Sequence, residues 1–296
     1  MHYKLFKYSL ARSDYREVLA DDHFGFFDRS KGADSVGRYA RYRGKHDAVL
    51  MFLRRYNTKF IGLVGRYSIE RDVDIYDPEA DIVNTQIVED EDYPNTPFLC
   101  FPRIRMIACV DGGRIPALTA MRRLHQILAS RQNLIFTFEE ISQTFDLRKA
   151  IDRFRVTRVD FEIFPVNPHS GDLGLEFDRS RKLDHIRKLK GVAEAPKSDP
   201  LKLEGGLLTA IQQLQKSGHC KLGFRGFTHG DVEVHVPKPS KLQKLADDVA
   251  DSVYGEESGV RISFPKVKIE YPFDEDHVLL VYKIAKQFLE IQSDEG

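Results

Sequence analysis

Two pairs of carboxylates, each spaced two residues apart in a β-like segment, could carry metal chemistry. The first pair is Asp160 and Glu162, and the second is Asp231 and Glu233. Residues two apart in a strand share one face, so paired strands could bring four oxygen ligands to Mg²⁺ for phosphodiester cleavage. A Mg²⁺-dependent nuclease is therefore one hypothesis. We favour a polar face of an exposed sheet instead, because no Asp precedes a Glu-x-Lys triplet at the spacing of a restriction-nuclease core.

Two basic clusters could instead contact a polyanion. The first consists of Arg38, Arg41, Arg43, Arg54 and Arg55, interspersed with tyrosines and followed by Lys59 on the same predicted hairpin. The second consists of Arg181, Lys182 and Lys188, on a helix predicted around residues 178–190. Guanidinium groups bind phosphate in a bidentate manner, and a helix anchored by its apolar side presents its cations rigidly to a phosphate backbone. The alternative is a solvated surface held by ion pairs, since charge runs are usually exposed.

An acidic tract covers residues 70–92 and interleaves carboxylates with valines and isoleucines. This pattern is compatible with edge strands that charge protects against pairing with other sheets. A second interpretation is that the tract occupies a basic groove and competes with nucleic acid. We favour the first interpretation.

Other catalytic patterns receive little support. His229 and His235 flank a predicted hairpin turn, but no Cys-x-x-Cys or His-x₃-His spacing accompanies them, so surface histidines are favoured over a zinc site. The glycine pairs lack the lysine and hydroxyl residue of a phosphate-binding loop, and no serine lies in a Gly-x-Ser-x-Gly elbow. We expect no cofactor apart from Mg²⁺ under the nuclease hypothesis.

The composition limits how the chain could meet a partner. Lys plus Arg equals Asp plus Glu at 45 each over 296 residues, so no global field attracts polyanions and any such contact needs a local patch. No apolar run approaches the roughly 20 residues that cross a bilayer, which predicts no membrane insertion. Three widely spaced cysteines favour a reducing cytoplasm over a disulfide framework.

The pattern of elements predicts an α+β fold with largely antiparallel sheets, flanking helices and a β-rich amino-terminal part. The segments 48–56 and 59–69 are predicted to form a hairpin around Asn57 and Thr58. A turn at 111–113 suggests two domains, residues 1–111 and 112–296. Thr137 to Glu140 resembles a capping box that would open a short helix. Segment 153–164 alternates as a strand, with one phase slip at Thr157 and Arg158.

The order of these elements resembles that of the RexA family of phage exclusion proteins and of uncharacterised bacterial proteins that accompany phage-defence loci. The resemblance rests on five segments: Leu19 to His23, the basic aromatic hairpin strand 51–65, the Phe-containing strand 97–110, the Gly-Asp-Leu turn 171–173 and the closing helix 276–292. It implies a dimer that binds DNA without marked sequence preference in phage exclusion. It provides no motif that assigns individual residues.

We therefore predict a cytoplasmic nucleic-acid-binding protein of antiphage defence or phage exclusion, and a binding protein rather than an enzyme. Its expected partner is DNA or RNA, contacted through phosphates with little sequence specificity. A homodimer and a complex with another defence-system protein are the expected assemblies. The alternatives are the Mg²⁺-dependent nuclease and a protein-interaction subunit.

Overall fold

The computed structural model describes residues 1–31, 41–42, 46–77, 82–92, 94–112, 115–141, 145–164, 188–238, 260–264 and 273–292. Helices and antiparallel strands are mixed within this part of the chain, which confirms the predicted α+β class. None of the helices in these ranges is both long and apolar enough to cross a membrane.

The strands of the described ranges are numbered in chain order. They are β1 His2–Arg12, β2 Arg41–Tyr42, β3 His46–Tyr56, β4 Lys59–Asp77, β5 Ile82–Asp92, β6 Asn95–Phe101, β7 Met106–Asp111, β8 Leu134–Glu140, β9 Arg155–Ile163, β10 Leu189–Glu194, β11 Cys220–Phe227, β12 Glu233–Val236 and β13 Arg261–Ser263. The helices are α1 His23–Ser30, α2 Ala117–Gln132, α3 Leu147–Arg153, α4 Leu207–Lys216 and α5 Glu275–Ile291, with short 3₁₀ turns at Ala20–Asp22 and Pro102–Ile104.

The chain divides into two compact units. Unit 1 comprises Met1–Leu5, Glu140–Lys268 and Lys283–Gly296, and unit 2 comprises Phe6–Glu139 and Ile269–Tyr282. The predicted boundary after residue 111 therefore lies inside unit 2. Helix α2 belongs to the same unit as the strands that precede it in the chain, because its buried face packs on them.

Unit 2 is built on strands in the order β1-β7-β6-β4-β3-β2, with β8 beside β1 and β5 beside β4, and the ladders that join strands β2 through β7 are antiparallel. Its core is rich in phenylalanine, and Phe27 contacts Phe60, Phe98 and Phe136. Helix α2 presents buried apolar side chains at spacings of three and four, and ends at Asn133 with a left-handed φ of 52°. Packing of this apolar stripe on the sheet supplies most of the stability of such a helix.

Unit 1 contains the strand order β10-β9-β11-β12-β13, and β13 pairs with the first residues of β1. Its core also uses aromatic rings: Phe224 contacts Phe145 and Phe154, and Phe154 contacts Phe288 of α5. The alternation predicted for segment 153–164 is confirmed, since Val156, Val159, Phe161 and Ile163 are buried.

The phase slip in that segment is a β-bulge. Gly226 of β11 lies opposite Val156, whereas Arg225 lies opposite Arg158, so Thr157 is the extra residue of β9. An added residue shifts the side-chain alternation by one position, which is why both Thr157 and Arg158 face away from the core. The polar residues on either side of the slip therefore stay on one face of the sheet.

The predicted capping box at residues 137–140 is wrong. These residues belong to β8, where the hydroxyl groups of Thr137 and Ser9 lie 2.6 Å apart. The helix begins later, and its N-cap is Asp146, whose carboxylate accepts from the backbone N–H groups of Arg148 and Lys149. Tertiary packing of the Phe-containing alternation overrides a four-residue cap signal here.

The helix predicted over residues 178–190 is only partly open to comparison. Residues 165–187 lie outside the described residues, whereas Leu189–Glu194 forms strand β10 rather than the end of a helix. The last two residues of that prediction are therefore wrong. The three cysteines are unbridged and buried.

Candidate nucleic-acid interface

The end of the β3–β4 hairpin carries three cations, Arg54, Arg55 and Lys59, which we call the hairpin cation cluster. The predicted hairpin is confirmed: Tyr56 pairs with Lys59, and Asn57 in the turn has a φ of 56°. Asn is one of the few residues that adopt this left-handed conformation readily. The tight turn therefore places the three cations within a few residues of the hairpin end.

Each cation of the hairpin cation cluster lies over an aromatic ring. The Cζ atom of Arg54 is 5.1 Å from the ring centroid of Tyr56, and that of Arg55 is 5.4 Å from the centroid of Phe24. The Nζ atom of Lys59 is 4.5 Å from the centroid of Tyr282. Attraction between a cation and the face of a ring contributes about 0.5–1 kcal/mol at exposed sites, so the rings restrict where the charged groups point.

Two hydrogen bonds hold this end of the hairpin further. The Nε–H of Arg55 donates to the carbonyl of Asn57 at 2.7 Å, and the hydroxyl of Tyr56 donates to the carbonyl of Phe273 at 2.7 Å. Arg54 and Arg55 remain exposed. The terminal N–H groups of these guanidinium groups are thus accessible to an anion while their stems are restrained.

None of the three cations forms an ion pair with any residue that the structure describes. Exposed arginines elsewhere in unit 2 differ, since Arg103 approaches Asp21 and Arg105 contacts Glu17 at 2.6 Å. A guanidinium group that already has a carboxylate partner gains less from a phosphate, because it must first give up that partner. The hairpin cation cluster therefore has charge that the described protein does not neutralise.

The remaining residues of the first basic cluster are not all at this end. Arg41 lies in β2 opposite Asp47, at the other end of β3 from Arg54. Seven residues of strand correspond to about 23 Å, so the backbone of Arg41 lies about that far along β3 from that of Arg54. Arg38 and Arg43 lie outside the described residues.

In the second basic cluster, Lys188 is paired with a carboxylate that it shares with Lys190. Its Nζ atom is 3.2 Å from Oε1 of Glu162, and the Nζ atom of Lys190 is 3.8 Å from Oε2 of the same carboxylate. Burial acts to raise the pKa of Glu162, but the hydrogen bond from Lys188 and the charges of both lysines outweigh it and lower the pKa. Arg181 and Lys182 lie outside the described residues.

The two strands of the nuclease hypothesis do not pair. Strand β11 lies between β9, which carries Asp160 and Glu162, and β12, which carries Glu233. Asp231 precedes β12 in the hairpin turn, with a φ of 60°. No group of His, Cys, Asp or Glu suited to a metal ion occurs among the described residues.

Each of the four carboxylates has a cationic neighbour instead. Asp160 accepts two hydrogen bonds from Arg158, Asp231 pairs with Arg155 and Lys197, Glu233 pairs with Arg225, and Glu162 pairs with the two lysines described above. Hydrogen bonds from Lys197 and Arg155 lower the pKa of Asp231. These ion pairs lie within β9, between neighbouring strands and with adjoining turns, as on a polar sheet face, the interpretation that the sequence favoured.

Sequence reasoning missed the rings that support the hairpin cation cluster. Phe24 and Tyr282 are far from the hairpin in the chain, and only the fold brings them to Arg55 and Lys59. Lys59 was identified with the two arginines on the predicted hairpin, because it closes the two-residue turn directly after them.

Comparison with known proteins adds no identification. No family model matches the chain, and no curated protein matches it. The resemblance to phage exclusion proteins therefore stays a prediction.

Proposed function

We propose that the protein binds nucleic acid through the phosphate backbone, with little preference for base sequence, and that the hairpin cation cluster is a contact site. The observation that carries the proposal is the set of three cations that stand over aromatic rings and have no carboxylate partner among the described residues. In a chain with no net charge, this local excess is what a polyanion could recognise.

Two features of the cluster favour the binding of phosphate. Arginine offers a planar fork of N–H groups that matches two phosphate oxygens. A restrained side chain also loses less conformational entropy when it binds than a freely rotating one. Affinity should therefore come mainly from the release of counterions that are condensed on the nucleic acid, and it should fall steeply as the salt concentration rises.

The proposal assigns the three cations of the cluster to phosphate oxygens, which are the same at every position of a nucleic acid. The proposal accordingly includes both DNA and RNA, whose phosphate backbones are alike. We further propose that this binding serves antiphage defence or phage exclusion, alone or with another defence-system protein, the context that the resemblance implies. The matching test is plaque formation by a phage panel on bacteria with and without the gene.

Fluorescence anisotropy with labelled duplex DNA, single-stranded DNA and RNA tests the binding directly. We expect binding at roughly 50 mM salt that weakens strongly at roughly 200 mM salt, and a clear loss in the double variant Arg54→Ala, Arg55→Ala. The double variant Arg16→Ala, Arg103→Ala is the matched control, because it removes the same charge from exposed arginines of unit 2 that already face Asp14 and Asp21. Equal losses in both variants would refute the assignment to the hairpin.

The same samples separate binding from cleavage. Incubation of plasmid DNA and RNA with and without Mg²⁺ should leave the nucleic acid intact. Mg²⁺-dependent cleavage that disappears in Glu162→Gln would overturn the binding proposal in favour of the nuclease hypothesis.

A further inference from the structure

Strand β10 is an edge strand of unit 1. It pairs with β9, and no other described strand pairs with it. Two of its apolar side chains are unusually exposed, Leu189 at 43 % and Val192 at 51 %. Natural edge strands are usually short, bulged or interrupted to prevent pairing with another chain. Strand β10 has six regular residues without a bulge; two of its apolar side chains are exposed, and its two charged residues, Lys190 and Glu194, have opposite signs.

The direction of the free backbone groups follows from the ladder. Phe164 N–H donates to the carbonyl of His219, and Ala195 N–H donates to the carbonyl of Thr157. Because bonded pairs alternate along an antiparallel ladder, every second residue of β10 bonds to β9, namely Leu189, Gly191 and Ala193. The N–H and C=O groups of Lys190, Val192 and Glu194 therefore point to the open side.

Lys190 and Glu194 lie on either side of Val192 along this open side, and their charges are complementary. Within one copy Lys190 is 3.8 Å from Glu162 and Glu194 is 2.6 Å from Arg158, and both side chains stay more than half exposed, so each can also face a charge of a second copy. If a second β10 lies antiparallel with Val192 opposite Val192, Lys190 of each copy faces Glu194 of the other. Opposite charges at directly paired positions stabilise a sheet, and like charges destabilise it. Backbone hydrogen bonding is compatible with this register, because Lys190, Val192 and Glu194, which would pair with the second copy, are the residues whose N–H and C=O groups point away from β9. A parallel arrangement in register would place Lys190 against Lys190, so the charge pattern selects the antiparallel one.

In this arrangement the apolar face and the polar face of β10 would each continue onto the same kind of face in the second copy. Leu189 lies on the same side as Gly191, which packs under the ring of Phe161 so closely that a Cβ atom there would be 2.2 Å from it. In the paired arrangement, Leu189 would face Ala195 of the second copy and extend the apolar side. The polar side would combine the two lysine–glutamate pairs around the two valines.

We propose that two copies of this chain associate through β10, antiparallel and two-fold symmetric about Val192. The occupant of the open edge is a second copy because Lys190 and Glu194, on either side of Val192, complement each other across a two-fold axis. The contact is small, so dimerisation is expected at micromolar concentration. It requires no nucleic acid and is tested without it.

A cysteine at the symmetry axis reports this arrangement. In a bonded antiparallel pair the two Cα atoms lie about 5.5 Å apart, within reach of a disulfide. We expect Val192→Cys to form a covalent dimer under mild oxidation, whereas Leu207→Cys, a site of matched exposure at 53 %, should stay monomeric. The native cysteines are buried and should not interfere. Equal cross-linking of the two variants, or none in either, would overturn the proposal.

Charge reversal tests the register independently of the cysteine. Lys190→Glu should weaken dimerisation about tenfold, because both symmetric pairs change from attractive to repulsive. Adding Glu194→Lys to it should restore the affinity to within about threefold of the native value. Sedimentation equilibrium from about 1 to about 200 µM measures all three proteins. A native protein that stays monomeric throughout, or a double variant as weak as the single one, would overturn the proposal.

Discussion

Removal of the whole hairpin cation cluster should change the salt dependence of nucleic-acid binding by a defined amount. Each cation that contacts a phosphate contributes about 0.9 to the slope of log affinity against log salt on duplex DNA. The triple variant Arg54→Ala, Arg55→Ala, Lys59→Ala should therefore lower the slope by about 2.7. Between roughly 50 and 200 mM salt, the affinity of the native protein should fall about 40-fold more than that of the variant.

The physical basis of this number is that none of the three cations has a carboxylate partner among the described residues, so each is available to a phosphate. Anisotropy titrations at four salt concentrations measure the slope. Thermal unfolding of the same variant controls for the lost contacts with aromatic rings, which are each about 0.5–1 kcal/mol. A folded triple variant with the native slope would refute the reasoning, since the cluster would then make no phosphate contact.

Three further predictions concern stability. Gly62→Ala should lower the free energy of unfolding by about 1–3 kcal/mol in urea titrations, because a Cβ atom there would lie 2.6 Å from the ring of Phe98; a native midpoint would contradict the close packing. Asp146→Ala should lower the free energy of unfolding in the same titrations by about 1 kcal/mol, because α3 loses its N-cap. Asp146→Asn should keep most of that stability, because an amide oxygen can also accept the two backbone hydrogen bonds. Glu162→Gln should destabilise the protein at neutral pH, and the difference should begin to shrink near pH 4.5, the ordinary pKa of this group, and vanish below its lowered pKa in the folded protein. The sign follows because a pKa lowered by folding means that the ionised carboxylate stabilises the folded state, and acid removes that charge; a difference that is independent of pH would contradict it.

Local patterns in the chain were sufficient for much of the fold. Period-two alternation identified β9, including the slip that the structure shows to be a bulge at Thr157. Helix α2 could be predicted from its apolar spacing, and the β3–β4 turn from its Asn residue. Both signals depend only on neighbours within a few residues. The false capping box at Thr137 failed for the complementary reason: pairing of β8 with a distant strand outweighed a local signal.

The candidate site was predicted only in part. Arg54 and Arg55 could be selected because they are basic residues at the end of a hairpin. Lys188 could be selected on the same grounds, yet the structure pairs it with Glu162, from which it is separated by many residues. The sequence shows which residues are charged, but only the folded structure shows which of them have an oppositely charged neighbour.

The amino-acid sequence by itself determined the α+β class, the alternation of β9, the tight β3–β4 turn and the lack of any net charge that could steer a polyanion. Tertiary structure alone decided that β11 separates the two carboxylate pairs, that Phe24 and Tyr282 support the hairpin cations, and that β10 forms an edge. The physical reason is range: propensity and periodicity act over a few residues, whereas strand order and ion pairing join residues far apart in the chain.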